Sequence, residues 1–527
     1  MTGCARTGEA ARRIRDVVRR GAAVIVLACA LLSFLTPAAR AGLLGGRTAC
    51  ELPETGLQGQ VPLVDQLSGR SQLGYRCGLG LVGQDPVGNR GANLQLAWYG
   101  NCAYVSTAHT PLFLANLLVG APPVDPTAPD NGIAVIDVSD PTRPTTTEIL
   151  RDGPDYDGWE AVEANEQRGI LVVSGTGTQM AVYDVRDDCA HPKLRSIANL
   201  PGTSHGLRLS ADGRTAWGGF LQLWAMNLDD LDSPTVAYVE NRMMHDLDLS
   251  PDGTRAYVAD GDFNDLTSND VLPSPGPGLT ILDISEVSQR VPQPHVRTIS
   301  ELDWEGYSHT ARLAHIGGRP YIISSDEIGS IQRNKTGPLS SLPAGAGRII
   351  DISDETSPRI VGTLSLAVND PANAVQVAAD NASYTSHYNG IDDPDDTTTV
   401  FYSWYNSGLR AFDVRDPTHP REFAYYNPPA RPLTTHRSIL VLGGLTLTDD
   451  STTSEVRYRQ ATGEIWFVSA SNGFQVVRLT DASGPNGLPP RSRTLPLASP
   501  GLPPVVTVSA SISPSAPLYA YCSLMVR

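Results

Sequence analysis

"IAVIDVSDPTRP" occupies residues 133–144. A short apolar run ends on an Asp, and an Asp-Pro-x-x-Pro turn follows. The phrase returns as "MAVYDVRDDCAHP" (180–192), "LQLWAMNLDDLDSP" (221–234) and "LTILDISEVSQRVPQP" (279–294). It continues as "GRIIDISDETSP" (347–358), "LRAFDVRDPTHP" (409–420) and a degenerate "FQVVRLTDAS" (474–483). The equivalent positions are Asp137, Asp184, Asn227, Asp283, Asp351, Asp413 and Arg478, spaced 43 to 68 residues apart. Self-similarity at such a period marks a repeat architecture.

Each copy lies inside a cycle of four strand-like runs. In the third unit these are "GLRLS" (206–210), "TAWGGF" (215–220), "LQLWAMN" (221–227) and "TVAYV" (235–239). The runs are β-branched and aromatic, and Gly, Asp and Pro punctuate them. After residue 41 no long stretch has helical periodicity. Four antiparallel strands repeated seven times predict an all-β fold, a seven-bladed β-propeller. An open β-solenoid has shorter and more uniform repeats. The turn phrase has its own mechanics. Asp accepts hydrogen bonds from backbone N–H groups in the turn, and Pro presets φ for the reversal. The second Pro lacks a donor and suits the start of an outer strand. His191 and His419 fall inside this turn and read as exposed turn residues.

The last unit supplies "EVRYRQ" (455–460), "EIWFVSA" (464–470) and "FQVVRLT" (474–480) but no clear fourth strand. "CGLGLVG" (77–83), ahead of the first unit, resembles outer strands such as "RIVGTL" (359–364). It is expected to complete the last blade and so close the ring. "RTLPLA" in the tail is the second choice.

Residues 1–41 read as a signal peptide. An Arg-bearing stretch precedes "AAVIVLACALLSFL" (22–35), and "TPAARA" supplies small residues for cleavage after Ala41. Residues 42–90 then form an N-terminal segment with the closing strand, 91–482 the propeller, and 483–527 a Pro/Ser-rich disordered tail. Export implies a secreted or cell-envelope location, with no transmembrane segment in the mature chain. Five cysteines follow the leader: Cys50, Cys77, Cys102, Cys189 and Cys522. An exported chain keeps disulfides. The odd count leaves one cysteine over, and Cys50 with Cys77 is the first pair to test.

The whole chain has 40 Lys and Arg against 56 Asp and Glu, a formal charge of −16. The leader holds seven of the Arg and only two acids, so the remainder is more acidic still. Such a chain repels nucleic-acid backbones and anionic membranes. The expected partner is an unknown protein or small-molecule ligand, and the chain is expected to be a monomer.

The apolar-Asp-apolar-Ser/Arg-Asp-Pro phrase resembles the LVIVD-repeat family of exported β-propeller proteins. "IAVIDVSDPTRP", "GRIIDISDETSP" and "YNSGLRAFDVRDPTHPREFAYYNPP" (405–429) carry the likeness, which covers roughly residues 75–480. It implies architecture and says little of chemistry. "HGLRLSADGRTAW" (205–217) and "HDLDLSPDGTRAYVAD" (245–260) also look like blades of seven-bladed lactonases, without an assembled lactonase site.

The histidines recur with the blades. His205 and His245 each stand seven residues before the Asp of an Asp-Gly turn, and His309 heads a looser copy, "SHTARLAHIGGRPYII" (308–323). In a propeller the first strand of each blade lines the central channel. The residue leading into it meets the residue leaving the second strand, on one face near the axis. Glu160 takes that leading position in blade two. His387 takes it approximately in blade six, and His436 in blade seven. The leaving positions add His109, Asp260, Asp262, Asp326, Glu327 and Asn406.

The candidate binding pocket is therefore Glu160, His205, His245, His309, His387, His436 and Glu327. Neutral imidazole and carboxylate ligate transition metals. His205, His245 and His309 are the candidate ligands of a divalent transition metal, the only cofactor the pattern points to. Glu160 is the candidate catalytic acid/base or a further ligand, and Glu305 or Glu327 could orient an imidazole. The competing reading is structural: a His kept in each blade because it bonds the same neighbouring carbonyl. Asp260, Asp262 and Asp265 lack calcium-loop spacing and read as an acidic surface loop. There is no phosphate loop and no nucleophile elbow. Two function classes stay open. The first is a binding or interaction module with an axial pocket. The second is a metal-dependent oxidoreductase or hydrolase using the histidine ring. Whether the protein is an enzyme is left undecided.

Overall fold

The computed structural model describes residues 50–107, 131–153, 158–175, 177–260, 277–304, 306–327, 345–380, 382–432, 448–449 and 451–480. The leader, the tail with Cys522 and "RTLPLA", His109, Asp262, Asp265, Glu305 and His436 lie outside them.

Seven antiparallel sheets of four strands form a ring. The innermost strands of blades one to seven are Asn93–Tyr99, Val162–Asn165, Gly206–Leu209, Asp246–Leu249, Ser308–Ile316, Asn389–Ile391 and Arg457–Arg459. The repeated phrase builds the third strand of each blade and the turn after it. In six copies the phrase's Asp or Asn accepts from the backbone N–H two residues on. The side chain thus caps the strand end, as the turn chemistry requires. His191 and His419 sit in these turns with side chains 62% and 75% exposed.

The core is divided among the blade interfaces. Seven apolar clusters pair blades one with two, two with three, and so on to seven with one. Leu96, Val105 and Ile136 of blade one meet Trp466, Val468 and Phe474 of blade seven in the last of these. A single blade buries neither face by itself, so each depends on both neighbours.

The segment before blade one pairs with blades six and seven. Leu79–Asp85 pairs antiparallel with Gly473–Leu479 as the outer strand of blade seven. Tyr75–Cys77 adds a fifth strand to blade six beside Arg421–Asn427. Cys50 bonds Cys77, and Cys102 in blade one bonds Cys189 in the blade-two turn. Arg410, fully buried, reaches back to Glu54 and Glu422 and stacks over Tyr425.

Close approach at the axis dictates two glycines. A Cβ on Gly206 would stand 2.4 Å from the carbonyl oxygen of His245, and one on Gly390 1.8 Å from that of Val456. Both distances are far inside contact, so neighbouring inner strands abut only with glycine there. Among the described residues the α-helices are Leu63–Ser68, Ser285–Ser288 and Ala374–Ala378, and no helix is long and apolar enough to cross a membrane.

Candidate metal centre

Ladder geometry places the histidines. The N–H of His205 donates to the carbonyl of Gly219, that of His245 to Ala259, and that of His387 to Ser403. Each acceptor lies at the end of its blade's second strand. Each histidine therefore heads an inner strand and turns its ring toward the axis. His309 does the same from within Ser308–Ile316. The four rings form an arc, with centroids 4.3 Å apart from His205 to His245, 3.8 Å from His245 to His309 and 4.1 Å from His309 to His387.

Two carboxylates close the arc. Glu160, from blade two, sets Oε2 3.4 Å from His205 Nδ1, 3.9 Å from His245 Nε2 and 3.5 Å from His309 Nε2. Its Oε1 lies 3.3 Å from His387 Nε2. Glu327, at the end of the second strand of blade five, faces the same three Nε2 atoms at 3.8, 3.6 and 3.7 Å. The residues come from blades two to six, and every ring but His205 is 0–1% exposed.

Second contacts fix each group. His245 Nδ1–H donates to the carbonyl of His309 at 3.1 Å, and His387 Nδ1–H to the carbonyl of Thr453. Both rings thus commit Nδ1 to the backbone and turn Nε2 inward. Tyr388 donates to Glu160 Oε2 at 2.8 Å, and Tyr405 to Glu327 Oε1 at 2.6 Å. Trp159 Nε1–H donates to His205 Nε2 at 3.0 Å. Trp159 and Tyr405 both hold positive φ, 44° and 22°, which side chains other than glycine rarely adopt. Such strain persists where surrounding structure imposes it, and it collects at functional sites.

Burial governs the protonation states. It pushes His309 down to about 3 and His245 well below the usual range, where neighbouring imidazoles add to the shift, so both are neutral. His205 is lowered by burial against the opposing pull of Glu160. Burial would lower His387 too, but Glu160 and Glu327 outweigh it and raise the ring. Burial would raise Glu160, yet the facing imidazoles, His205 and His387 foremost, bring it well below the normal carboxylate range. Glu327 is pushed up to about 7 by burial. Beside their carboxylates the buried phenols of Tyr388 and Tyr405 stay protonated donors.

Hydrogen bonding does not saturate this cluster. Both nitrogens of His309, Nε2 of His387 and Nδ1 of His205 have no hydrogen-bond partner among the described residues. Buried polar atoms ordinarily find one. Donors about 2.0–2.2 Å from a common ion stand about 3–4.4 Å from one another. The 3.3 to 3.9 Å spacings of the Nε2 and carboxylate oxygen atoms fall in that interval. Three triads have donor atoms mutually within 4.8 Å: Glu160 with His205 and His245, Glu160 with His309 and His387, and Glu327 with His245 and His309.

A second charged layer lines the inner strands beside this one. Arg208 bridges Glu455 at 2.7 Å, Glu163 at 3.2 Å and Asp246 at 3.4 Å, and Arg312 bonds Glu455. It satisfies its own charges.

Six of the seven expected pocket residues are thus neighbours, and His436 lies outside the described residues. Three leaving positions are occupied differently. Asp326 accepts from the backbone of Tyr307 and Gly345, and Asn406 accepts from Ser383. Asp260 is buried against Thr280 with Arg242 3.7 Å away, rather than lying in an exposed acidic loop. Packing against blade four's third strand withdraws it from solvent. Trp159, Tyr388 and Tyr405 were not foreseen. Each is next in sequence to a position that was: Glu160, His387 and Asn406.

Fold and site together define a seven-bladed β-propeller with an axial cluster of imidazoles and carboxylates. The LVIVD repeat model matches two segments, residues 128–152 and 348–365, which overlap the phrases of blades one and five. No curated protein matches the chain. Among solved structures, the Cps50 (Swd1) β-propeller domain of Myceliophteria thermophila aligns at 10% identity and TM-score 0.46, over 76% of this chain and 100% of that one. Hydrazine synthase of Kuenenia stuttgartiensis aligns at 10% identity and TM-score 0.43, over 74% and 96%.

Proposed function

We propose that the protein is a metal-dependent propeller that holds one divalent first-row transition ion on its axis. His245, His309 and His387 supply Nε2, and Glu160 and Glu327 supply carboxylate oxygens. The observation that carries this reading is His309, wholly buried, with both nitrogens unbonded among the described residues and Nε2 facing two carboxylates. Charge agrees. Two carboxylates offset a divalent ion, whereas either charge alone is costly in a buried site. An all-nitrogen-and-oxygen set suits iron, zinc, nickel or copper. An ion held by these donors with a position left for water or substrate would supply metal-dependent hydrolysis or oxidation-reduction.

A metal-free pocket for an organic ligand fits less well. Nε2 and carboxylate oxygen atoms 3.3 to 3.9 Å apart leave room for an ion rather than a molecule. An extracytoplasmic site of action is part of the proposal, supported by two disulfides and the leader-like start. The test is elemental analysis of the purified mature chain after loading with zinc, iron(II) or copper and exhaustive dialysis. About one ion per chain is expected, as for a single closed donor set. His309→Leu and Glu160→Gln should lose it while keeping a β-sheet circular dichroism spectrum. A wild-type chain retaining none of these metals would refute the reading.

A further inference from the structure

Four imidazoles ring the centre, but they do not present the same nitrogen. His245 and His387 each commit Nδ1–H to a backbone carbonyl and turn Nε2 inward. His205 is the reverse. Its Nε2 accepts the indole N–H of Trp159, so in the neutral ring the proton sits on Nδ1. That N–H is the atom facing the site, 3.4 Å from Glu160 Oε2 and without a hydrogen-bond partner among the described residues. A nitrogen carrying a proton does not ligate a metal.

His205 is also the most open of the four, its side chain 12% exposed where the other three are 0–1%. Trp159 and Phe220, both partly exposed, flank it, with Phe220 stacked at 5.2 Å and Trp159 edge-on at 5.9 Å. The solvent side of the centre thus lies between blades two and three.

Resting on the metal reading above, we propose that His205 is not a ligand but the hydrogen-bond donor that receives a small anionic or oxygen ligand at the ion's open position. Trp159 is a positioning residue that locks the His205 tautomer. The class of ligand follows from the donor: hydroxide, a carboxylate, or a comparably small anion with a lone pair to accept Nδ1–H. A bulky organic group would collide with Trp159 and Phe220.

The experiment uses the full mature chain loaded with copper(II), and azide as the probe anion. Pulsed electron paramagnetic resonance counts the coordinated imidazoles, and the azide charge-transfer band reports affinity in a separate titration. Three imidazoles are expected in the wild type and in His205→Phe. Azide binding should weaken about tenfold or more in His205→Phe, the scale of a lost hydrogen bond to a charged group. In Trp159→Phe the lock on Nε2 is gone, Nδ1 is free to ligate, and the count should rise to four.

Four imidazoles in the wild type falling to three in His205→Phe would overturn the inference while leaving the metal reading intact. Unchanged azide affinity in His205→Phe, or a count of three in Trp159→Phe, would also overturn it. A wild-type chain that takes up no copper would fail the metal reading first, before any variant is compared. If His205→Phe does not fold, Trp159→Phe alone decides.

Discussion

The sharpest consequence of an incompletely bonded imidazole is that its removal costs little. Consider His309→Leu in metal-free protein at neutral pH. Two buried polar atoms without partners raise the folded state by about 1–3 kcal/mol each, so about 2–6 kcal/mol together. Burial holds the His309 ring at about 3, so it is neutral and no ion pair with Glu160 or Glu327 is lost. Leucine is close to imidazole in volume, and residual misfit costs about 1–3 kcal/mol. The variant should therefore unfold in urea at the wild-type midpoint or above it. Metal at a hundred times its dissociation constant should stabilise the wild type by about 2.7 kcal/mol and leave the variant unmoved. Denaturation with and without ion, followed by tryptophan fluorescence, measures both. Destabilisation of the metal-free variant by more than about 3 kcal/mol would show that His309 is a satisfied structural residue, in the range of ordinary core truncations.

Other elements give separate tests. The Cys102–Cys189 bond spans 87 residues, and loop entropy gives it about 4.6 kcal/mol. Cys102→Ala with Cys189→Ala should lose several kcal/mol in denaturant, and a loss below 1 kcal/mol would contradict this. Arg410→Met strands Glu54 and Glu422, each with a side chain only 10% exposed, and should cost about 3–5 kcal/mol. Rescue by Glu54→Gln with Glu422→Gln checks that cause. Burial raises Asp260 to about 7, so the folded chain binds this proton more tightly than the unfolded one between pH 4 and pH 7. Its contribution is favourable in acid and lost as pH rises through 7. Asp260→Asn should accordingly gain stability relative to wild type at pH 8 and not at pH 4.5, read from paired thermal melts.

The repeat made the architecture legible from residues alone. A phrase such as "IAVIDVSDPTRP" specifies its strand and turn locally, because Asp137 needs only the N–H of Ser139 to cap the strand. Seven copies of a locally determined unit fix the blade number. The same periodicity put His205, His245 and His309 at equivalent positions, and equivalence in a ring means proximity. Glu327 and Glu160 were legible only as positions, not as partners facing the same three Nε2 atoms across the axis from blades five and two.

Which nitrogen each ring presents was beyond the sequence. That choice depends on the atom behind the ring: a carbonyl for His245 and His387, an indole N–H for His205. Trp159 reaches His205 from the neighbouring blade, 46 residues away, and holds a left-handed backbone conformation as it does so. Local sequence therefore determined the blades and the height of each side chain in the ring. Ring closure alone decided the electronic identity of the centre, because hydrogen-bond direction is a property of pairs, and these pairs exist only once distant blades stand side by side.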